Sequence, residues 1–394
     1  MKIPITKTYF DDSDFENIQK PLKSGWVVQG PFVKEFEERF SKFVNSKYSI
    51  ACSSCTTALH IALTALGIKE GDEVIVPAFT WASTANAVEF TGAKPVFCDI
   101  DLRTFNIDVS GIEEKITDKT KAIIPVHLFG LPVDMDAVMS ISKNYNLKIV
   151  EDAACGFGAY YKNKHVGNFS ECGCFSFHPR KAITTGEGGM ITTQNEELDK
   201  TCRMLRNHGE EINRDINNDS EVLLLSEFNV LGYNYRMTDI QGALGVSQIN
   251  KADWIQKQRG ERAKKYDELI KDFNWLRKPF GIATGSNEDY RHGYQSYVCL
   301  FQPEEITMSN LDKLGKMRND LMINLQKKGI STRQGTHAVT MLGYYKNKYG
   351  ITNGDYPNAM FADRLSLALP LYPQMTDEEQ NFVVNELILN GKWK

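Results

Sequence analysis

Lys181 occupies a setting that is unusual for a lysine. The run Phe175-Ser176-Phe177-His178-Pro179-Arg180-Lys181 leads into Thr184-Thr185-Gly186-Glu187-Gly188-Gly189-Met190, a Gly/Thr-rich turn rather than a solvated helix face. A lysine there can lose charge through partial burial and attack a carbonyl to form an imine. The three glycines let backbone approach a ligand closely, and Ser176 adds a hydroxyl. A second segment, Glu151-Asp152-Ala153-Ala154, ends the apolar run LKIV. An acid at the carboxyl end of a buried strand is costly unless paired, and a protonated ring nitrogen would be a natural partner. A third, Ser53-Ser54-Cys55-Thr56-Thr57-Ala58-Leu59, follows a strand and opens a helix. Hydroxyls and free N–H groups at a helix N-terminus suit a phosphate. The fourth, Gly232-Tyr233-Asn234-Tyr235-Arg236-Met237-Thr238-Asp239, is a polar knot ahead of a long helix, and Trp81 follows a strand in PAFTWAST.

Each segment has a plainer reading. Ser/Thr caps open many helices, a strand-end carboxylate can cap the next turn, and a tryptophan can be core. Taken together they supply what an aldehyde-bearing pyridine phosphate needs: an imine-forming lysine, an acid for the ring nitrogen, phosphate donors and a flat ring for stacking.

The elements that must position these groups alternate. YSIAC, DEVIVPA, KPVFCDI, KAIIPVHL, LKIVED, GCFSF and GGMITT read as strands. Between them lie helix candidates at Thr56–Gly67, Thr80–Thr91, Val133–Asn144 and about Glu196–Arg206. Strand-helix alternation with helical crossovers implies an α/β, mostly parallel sheet covered on both faces, with ligands at the carboxyl ends of its strands. From Asp239 to Lys271 the pattern reads as one long amphipathic helix. Beyond it, short strands (YQSYVCLF), a charged helix (Ser309–Lys328) and a closing helix (Thr376–Leu389) read as a smaller α+β unit. Residues 1–250 are therefore expected to form a large cofactor-binding domain and residues 251–394 a small C-terminal one.

The 394 residues carry a net charge of -4, with 42% hydrophobic and 24% charged residues. No global basic field favours nucleic acid or an anionic membrane. No apolar run approaches the roughly 20 residues that span a bilayer, and the opening MKIPITKTYFDDSDFENI lacks a secretory pattern, so a cytoplasmic protein is expected. The pairs Cys52/Cys55 and Cys172/Cys174 lack flanking, spaced histidines, so reduced core thiols are expected rather than a metal site. There is no G-x-G-x-x-G after the first strand to suggest a nicotinamide cofactor.

The chain resembles the DegT/StrS family of sugar aminotransferases. The resemblance runs nearly end to end, through SGWVVQGPFVKEFEERF, GDEVIVPAFT, HLFGLPVDMD, EDAA, FSFHPRKAITTGEGG, RNHG and GYNYRMTDIQGALG. It implies the aspartate-aminotransferase fold (fold type I) with a seven-stranded sheet, and pyridoxal 5'-phosphate as cofactor. Position by position it implies that Lys181 carries the cofactor and Asp152 pairs the pyridine nitrogen. It implies that Thr56 and Ser176 hold the phosphate with Thr57 beside it, and that Trp81 stacks on the ring. Asn234 is implied to reach a phosphate held by the neighbouring subunit, making a homodimer with shared active sites the functional unit. L-glutamate is the implied donor and a keto-sugar the acceptor, in lipopolysaccharide or O-antigen assembly.

The chain departs from the family at three places. Cys55 stands where glycine is usual, and Cys155 where a glutamine usually bonds the cofactor's ring hydroxyl. In the C-terminal part, Arg333, Thr336 and His337 replace an aromatic-proline-histidine stretch and could face an anionic sugar. The acceptor is thus either a nucleotide-linked 4-keto or 3-keto-6-deoxyhexose or a free acid such as 8-oxo-3,8-dideoxy-octulosonate, the substrate of a family branch with a similar KTYFDD…GWVVQG opening. Trp26 and Tyr294 are candidates to line the sugar pocket. Of His127, His178 and His208, only His178, three residues before Lys181, is taken as a site candidate; a lone histidine is more often a core or turn residue. Two other readings use the same fold: a sugar dehydratase, which typically has histidine at the lysine position, and a non-catalytic regulatory protein.

Overall fold

The structure, a computed structural model, describes residues 1–211, 226–280 and 289–391. Two helices, α1 (Asp12–Ser24) and α2 (Pro31–Val44), lead into an alternating series. It runs β1 (Tyr48–Cys52), α3 (Cys55–Ala65), β2 (Glu73–Pro77), α4 (Ala82–Phe90), β3 (Lys94–Cys98) and β4 (Thr120–Ile123). It continues with α5 (Met135–Tyr145), β5 (Lys148–Asp152), β6 (Cys172–Ser176), β7 (Gly189–Thr193) and α6 (Glu196–Arg206). The seven strands form one sheet in the order β1-β7-β6-β5-β4-β2-β3. Its residues are buried almost throughout, as helices on both faces require.

The direction of one strand decides where the chemistry sits. All neighbours among β2 to β6 pair in parallel, whereas β7 runs antiparallel to both β1 and β6. The segment joining β6 to β7, which holds Lys181, therefore turns back at the carboxyl edge of the sheet. Asp152 at the end of β5, Ser176 at the end of β6 and the β1–α3 turn lie along the same edge.

The expected single helix from Asp239 to Lys271 is two helices, α7 (Asp239–Asn250) and α8 (Ala252–Leu269). They part at Lys251, whose backbone leaves helical geometry at φ -101 and ψ 0. Its ammonium is held by Asp11, at 2.9 Å, and by Asp14 of α1. The two pieces also serve different neighbours. α7 packs under α1 and α2, and Gly242 is needed there, since a Cβ would come within 2.6 Å of the Val33 backbone nitrogen.

After α8 a three-stranded antiparallel sheet forms from β8 (Leu276–Arg277), β9 (Tyr297–Phe301) and β10 (Ser366–Leu369). It is accompanied by α9 (Leu311–Lys327), α10 (Gly343–Tyr349), α11 (Pro357–Leu365) and α12 (Asp377–Asn390). One apolar core runs unbroken from Ile50 and Val76 under the large sheet to Leu300, Leu367 and Leu387. The chain's first residues lie against these late elements: Ile3 bridges Ile330, and the Leu371 N–H donates to the Ile5 carbonyl. Among the described residues no helix is long and apolar enough to cross a membrane.

Candidate active site

The Lys181 turn is tied down on every side but one. The Lys181 N–H bonds the His178 carbonyl at 2.8 Å, and the Thr184 hydroxyl bonds the Phe177 carbonyl at 2.7 Å. Gln295 Nε2 donates to the Arg180 carbonyl at 2.5 Å, and the Thr8 hydroxyl to the Pro179 carbonyl at 2.8 Å. The Lys181 side chain is half-buried, and its Nζ lies 3.2 Å from Cys155 Sγ, with no carboxylate paired to it among the described residues. Of the eight cysteines, all free, Cys155 alone is not buried.

Asp152 is 3% exposed. Its Oδ2 accepts the Thr84 hydroxyl at 2.7 Å, and its Oδ1 the Ala154 N–H at 3.1 Å. Burial pushes its carboxyl above the ordinary range, and the Thr84 and Ala154 bonds offset only part of that. No ion pair engages it among the described residues. A buried carboxylate with two neutral donors has room for a cationic N–H, which is what a protonated pyridine nitrogen offers.

The anion cradle follows from strand register. Cys52 pairs with Gly189, and Gly189 with Ser176, so the N-terminus of α3 sits over β7 beside Ser176. A side chain at Gly189 would not fit, because its Cβ would lie 2.3 Å from the Ser54 carbonyl and 2.6 Å from the Cys55 nitrogen. Ser54 caps α3 and exchanges bonds with Thr57, whose hydroxyl donates to the Ser54 carbonyl at 2.8 Å. The Thr57 hydroxyl is thus committed to the cap, while that of Thr56 has no hydrogen-bond partner among the described residues. Cys55 opens the helix with its thiol buried against the Cys174 carbonyl at 3.5 Å, so the larger residue is accommodated.

Trp81 is the N-cap residue of α4 and is 56% exposed. His337 is brought to it: the two rings lie 5.7 Å apart, and His337 pairs with Thr80 across a two-residue ladder. The remaining candidates are placed less directly. Arg333 is exposed, joined to Ala368 through backbone alone. His178 serves its own turn, with Nδ1 accepting the Arg180 N–H at 3.2 Å. Tyr294, at φ 45, stacks on His292 at 4.2 Å and packs against the apolar core. Trp26 is exposed on the loop before α2, its Nε1 bonded to the Gln29 carbonyl, and makes no bond to the Lys181 group. Asn234 points outward between Tyr233 and Tyr235, which stack on each other at 4.9 Å and lie against His60.

A match to the DegT/DnrJ/EryC1/StrS aminotransferase family description covers residues 9–388. The chain belongs to that family. This aminotransferase is 37% identical to the spore coat polysaccharide biosynthesis protein SpsC of Bacillus subtilis, over 97% of this chain and 95% of that protein. It is 34% identical to GDP-perosamine synthase of Escherichia coli O157:H7, over 98% of this chain and 97% of that enzyme. Spr1654 of Streptococcus pneumoniae, solved in a PLP-form, superposes with a TM-score of 0.89 at 27% identity, covering 100% of both chains. The family is that of the pyridoxal-phosphate-dependent sugar aminotransferases, its fold is type I, and pyridoxal 5'-phosphate is the cofactor.

Thr84 is a site residue that reasoning from the sequence passes over. It sits in the quoted PAFTWAST segment, in the first turn of α4, and its hydroxyl lies 3.0 Å from that of Thr80 in the short strand just before the helix. Nothing in that segment points to Asp152, 68 residues further on.

Proposed function

We propose that this aminotransferase moves an amino group from L-glutamate to the keto carbon of a nucleotide-linked keto-deoxysugar, in the cytoplasm, for a bacterial surface polysaccharide. The observation that carries the reading is the Lys181 amine, bonded to Cys155 and paired to no carboxylate among the described residues, close enough to the buried Asp152 to act on its charge. The GDP in the name of one relative, GDP-perosamine synthase, favours a nucleotide-linked acceptor over a free sugar acid, and the name of SpsC favours a polysaccharide as the destination.

Pyridoxal phosphate, when bound, supplies an electron sink for the carbanion left as a proton leaves the donor's α-carbon. Around it the chain's residues divide the work. Asp152 holds a proton on the ring nitrogen by staying anionic against it. The Thr56 hydroxyl, the free N–H groups opening α3 and Ser176 hold the phosphate. Trp81 covers a ring face. Lys181 Nζ would take the proton from the donor α-carbon and deliver it to the cofactor's C4′ carbon, then run the exchange in reverse on the sugar. A dehydratase of this family would lack that amine.

Asn234 is read as completing a second copy's phosphate site. Its side chain is exposed and has no hydrogen-bond partner among the described residues, and the neighbouring Leu231 is 88% exposed. A homodimer covers both. We also take Lys251, where the long helix breaks, as the border between a cofactor-binding unit and a smaller C-terminal one.

The test is a half-reaction panel. The pyridoxamine-loaded enzyme is offered nucleotide-linked 4-keto and 3-keto-6-deoxyhexoses and free keto-sugar acids, and return of the aldehyde-form absorbance is followed. Recovery with nucleotide-linked sugars is expected. Recovery only with a free acid such as 8-oxo-3,8-dideoxy-octulosonate moves the assignment to that branch, with Arg333 and His337 as the groups to examine.

A further inference from the structure

Asp152 has a neighbour whose chemistry the transamination does not use. Glu151 is fully buried, 0% exposed, and its side chain points to the other side of β5. It gathers four donors: His127 Nε2 at 3.0 Å, the Gly167 N–H at 2.6 Å, the Phe169 N–H at 2.7 Å and the Ser170 hydroxyl at 2.8 Å. Burial alone pushes its carboxyl up; the His127 bond and the other donors outweigh this and hold it below the ordinary range, so it is anionic.

His127 is equally buried and joins both acids. Its Nδ1 accepts the Val133 N–H at 3.1 Å, which leaves the proton on Nε2 for Glu151. Its backbone N–H donates to the Asp152 carbonyl at 3.1 Å, and the Asp152 N–H donates to Pro125 at 2.9 Å. The Pro125–His127 strap thus clamps the last two residues of β5 through backbone at Asp152 and through side chains at Glu151.

We propose that His127 and Glu151 act as a positioning couple that fixes Asp152 for its contact with the cofactor's ring nitrogen. Neither touches a reactant. The His127 bond ties the strand end to the strap, the donors at Gly167, Phe169 and Ser170 hold the Glu151 carboxylate from the following turn, and the strand end aims the Asp152 carboxylate. The inference rests on the reading of Asp152 as the acid of that ring.

The test uses the full-length enzyme titrated with pyridoxal phosphate. His127→Ala removes the bridge to Glu151, while His127→Gln keeps a donor near the Nε2 position. H127A is expected to bind the cofactor about tenfold more weakly, to shift the absorbance of the saturated enzyme, and to lose kcat with little change in donor KM. H127Q is expected to recover most of each. Folded H127A with wild-type affinity and spectrum overturns the couple, as does equal impairment of both variants. Should H127A not fold, H127Q decides: affinity within about threefold of wild type supports the couple, and a larger loss overturns it. Asp152→Asn separates the two readings. If D152N keeps the wild-type spectrum and kcat, the reading of Asp152 fails; if D152N is impaired and H127A is not, the couple alone fails.

Discussion

The Thr84 hydroxyl lies 2.7 Å from Asp152 Oδ2 and is the donor that does most to keep that buried carboxylate ionised. Burial raises the Asp152 pKa, and a hydrogen bond to the charged form lowers it again. Removing the hydroxyl therefore raises it further. Thr84→Val should move the acid limb of the kcat/KM profile to higher pH, and Thr84→Ser should leave it in place. A pH–rate comparison of the three proteins decides this; an unmoved limb in T84V would show that Asp152 is not the group titrating.

Thr56 and Thr57 are adjacent but do different work. Thr56→Val should weaken cofactor binding about tenfold, the worth of one hydrogen bond to a charged group, with little change in Tm. Thr57→Val breaks the capping exchange with Ser54 and should cost about 1 kcal/mol of stability with a smaller effect on the cofactor. Cofactor titration and thermal melts of both variants would separate them.

Gly189 permits α3 to rest on β7. A Cβ placed 2.3 Å from the Ser54 carbonyl must push the helix N-terminus away. Gly189→Ala should therefore cost about 1–3 kcal/mol of stability and lower cofactor affinity together. An alanine variant with wild-type affinity would mean that the cradle does not depend on that approach.

If Asn234 serves the partner's site, two dead variants should rescue each other. Lys181→Ala and Asn234→Ala, co-refolded or co-expressed, give mixed dimers in which one site has both residues intact. Random mixing makes about half of the dimers mixed, so about a quarter of all sites should be active. Activity no higher than the weighted mean of the separate variants would place Asn234 in its own subunit's site or in none.

Much of the site can be read in the sequence because its parts are local. Lys181 and its glycines form one turn, Asp152 ends one strand, and Thr56 opens one helix. The reversal of β7 that gathers them is not local: it appears only in the pairing of Gly189 with Cys52 and Ser176. Thr84 was hidden for the same reason. The periodicity from Asp239 to Lys271 is continuous, and the division at Lys251, whose ammonium is paired with Asp11 and Asp14 from the far end of the sequence, leaves no local mark. Side-chain type alone does not separate Thr57 from Thr56; the structure shows the Thr57 hydroxyl engaged with the Ser54 cap of its own helix. Nor does it show that the Tyr294 ring stacks on His292.

The central claim is that Lys181 is the lysine joined to the cofactor. Borohydride reduction of the pyridoxal-phosphate-loaded enzyme, followed by peptide mass spectrometry, tests it directly. The account predicts one modified peptide, carrying the adduct on Lys181, and none in Lys181→Ala. An adduct on another lysine, or a Lys181→Ala protein that keeps the bound-cofactor absorbance and turns over, would contradict it.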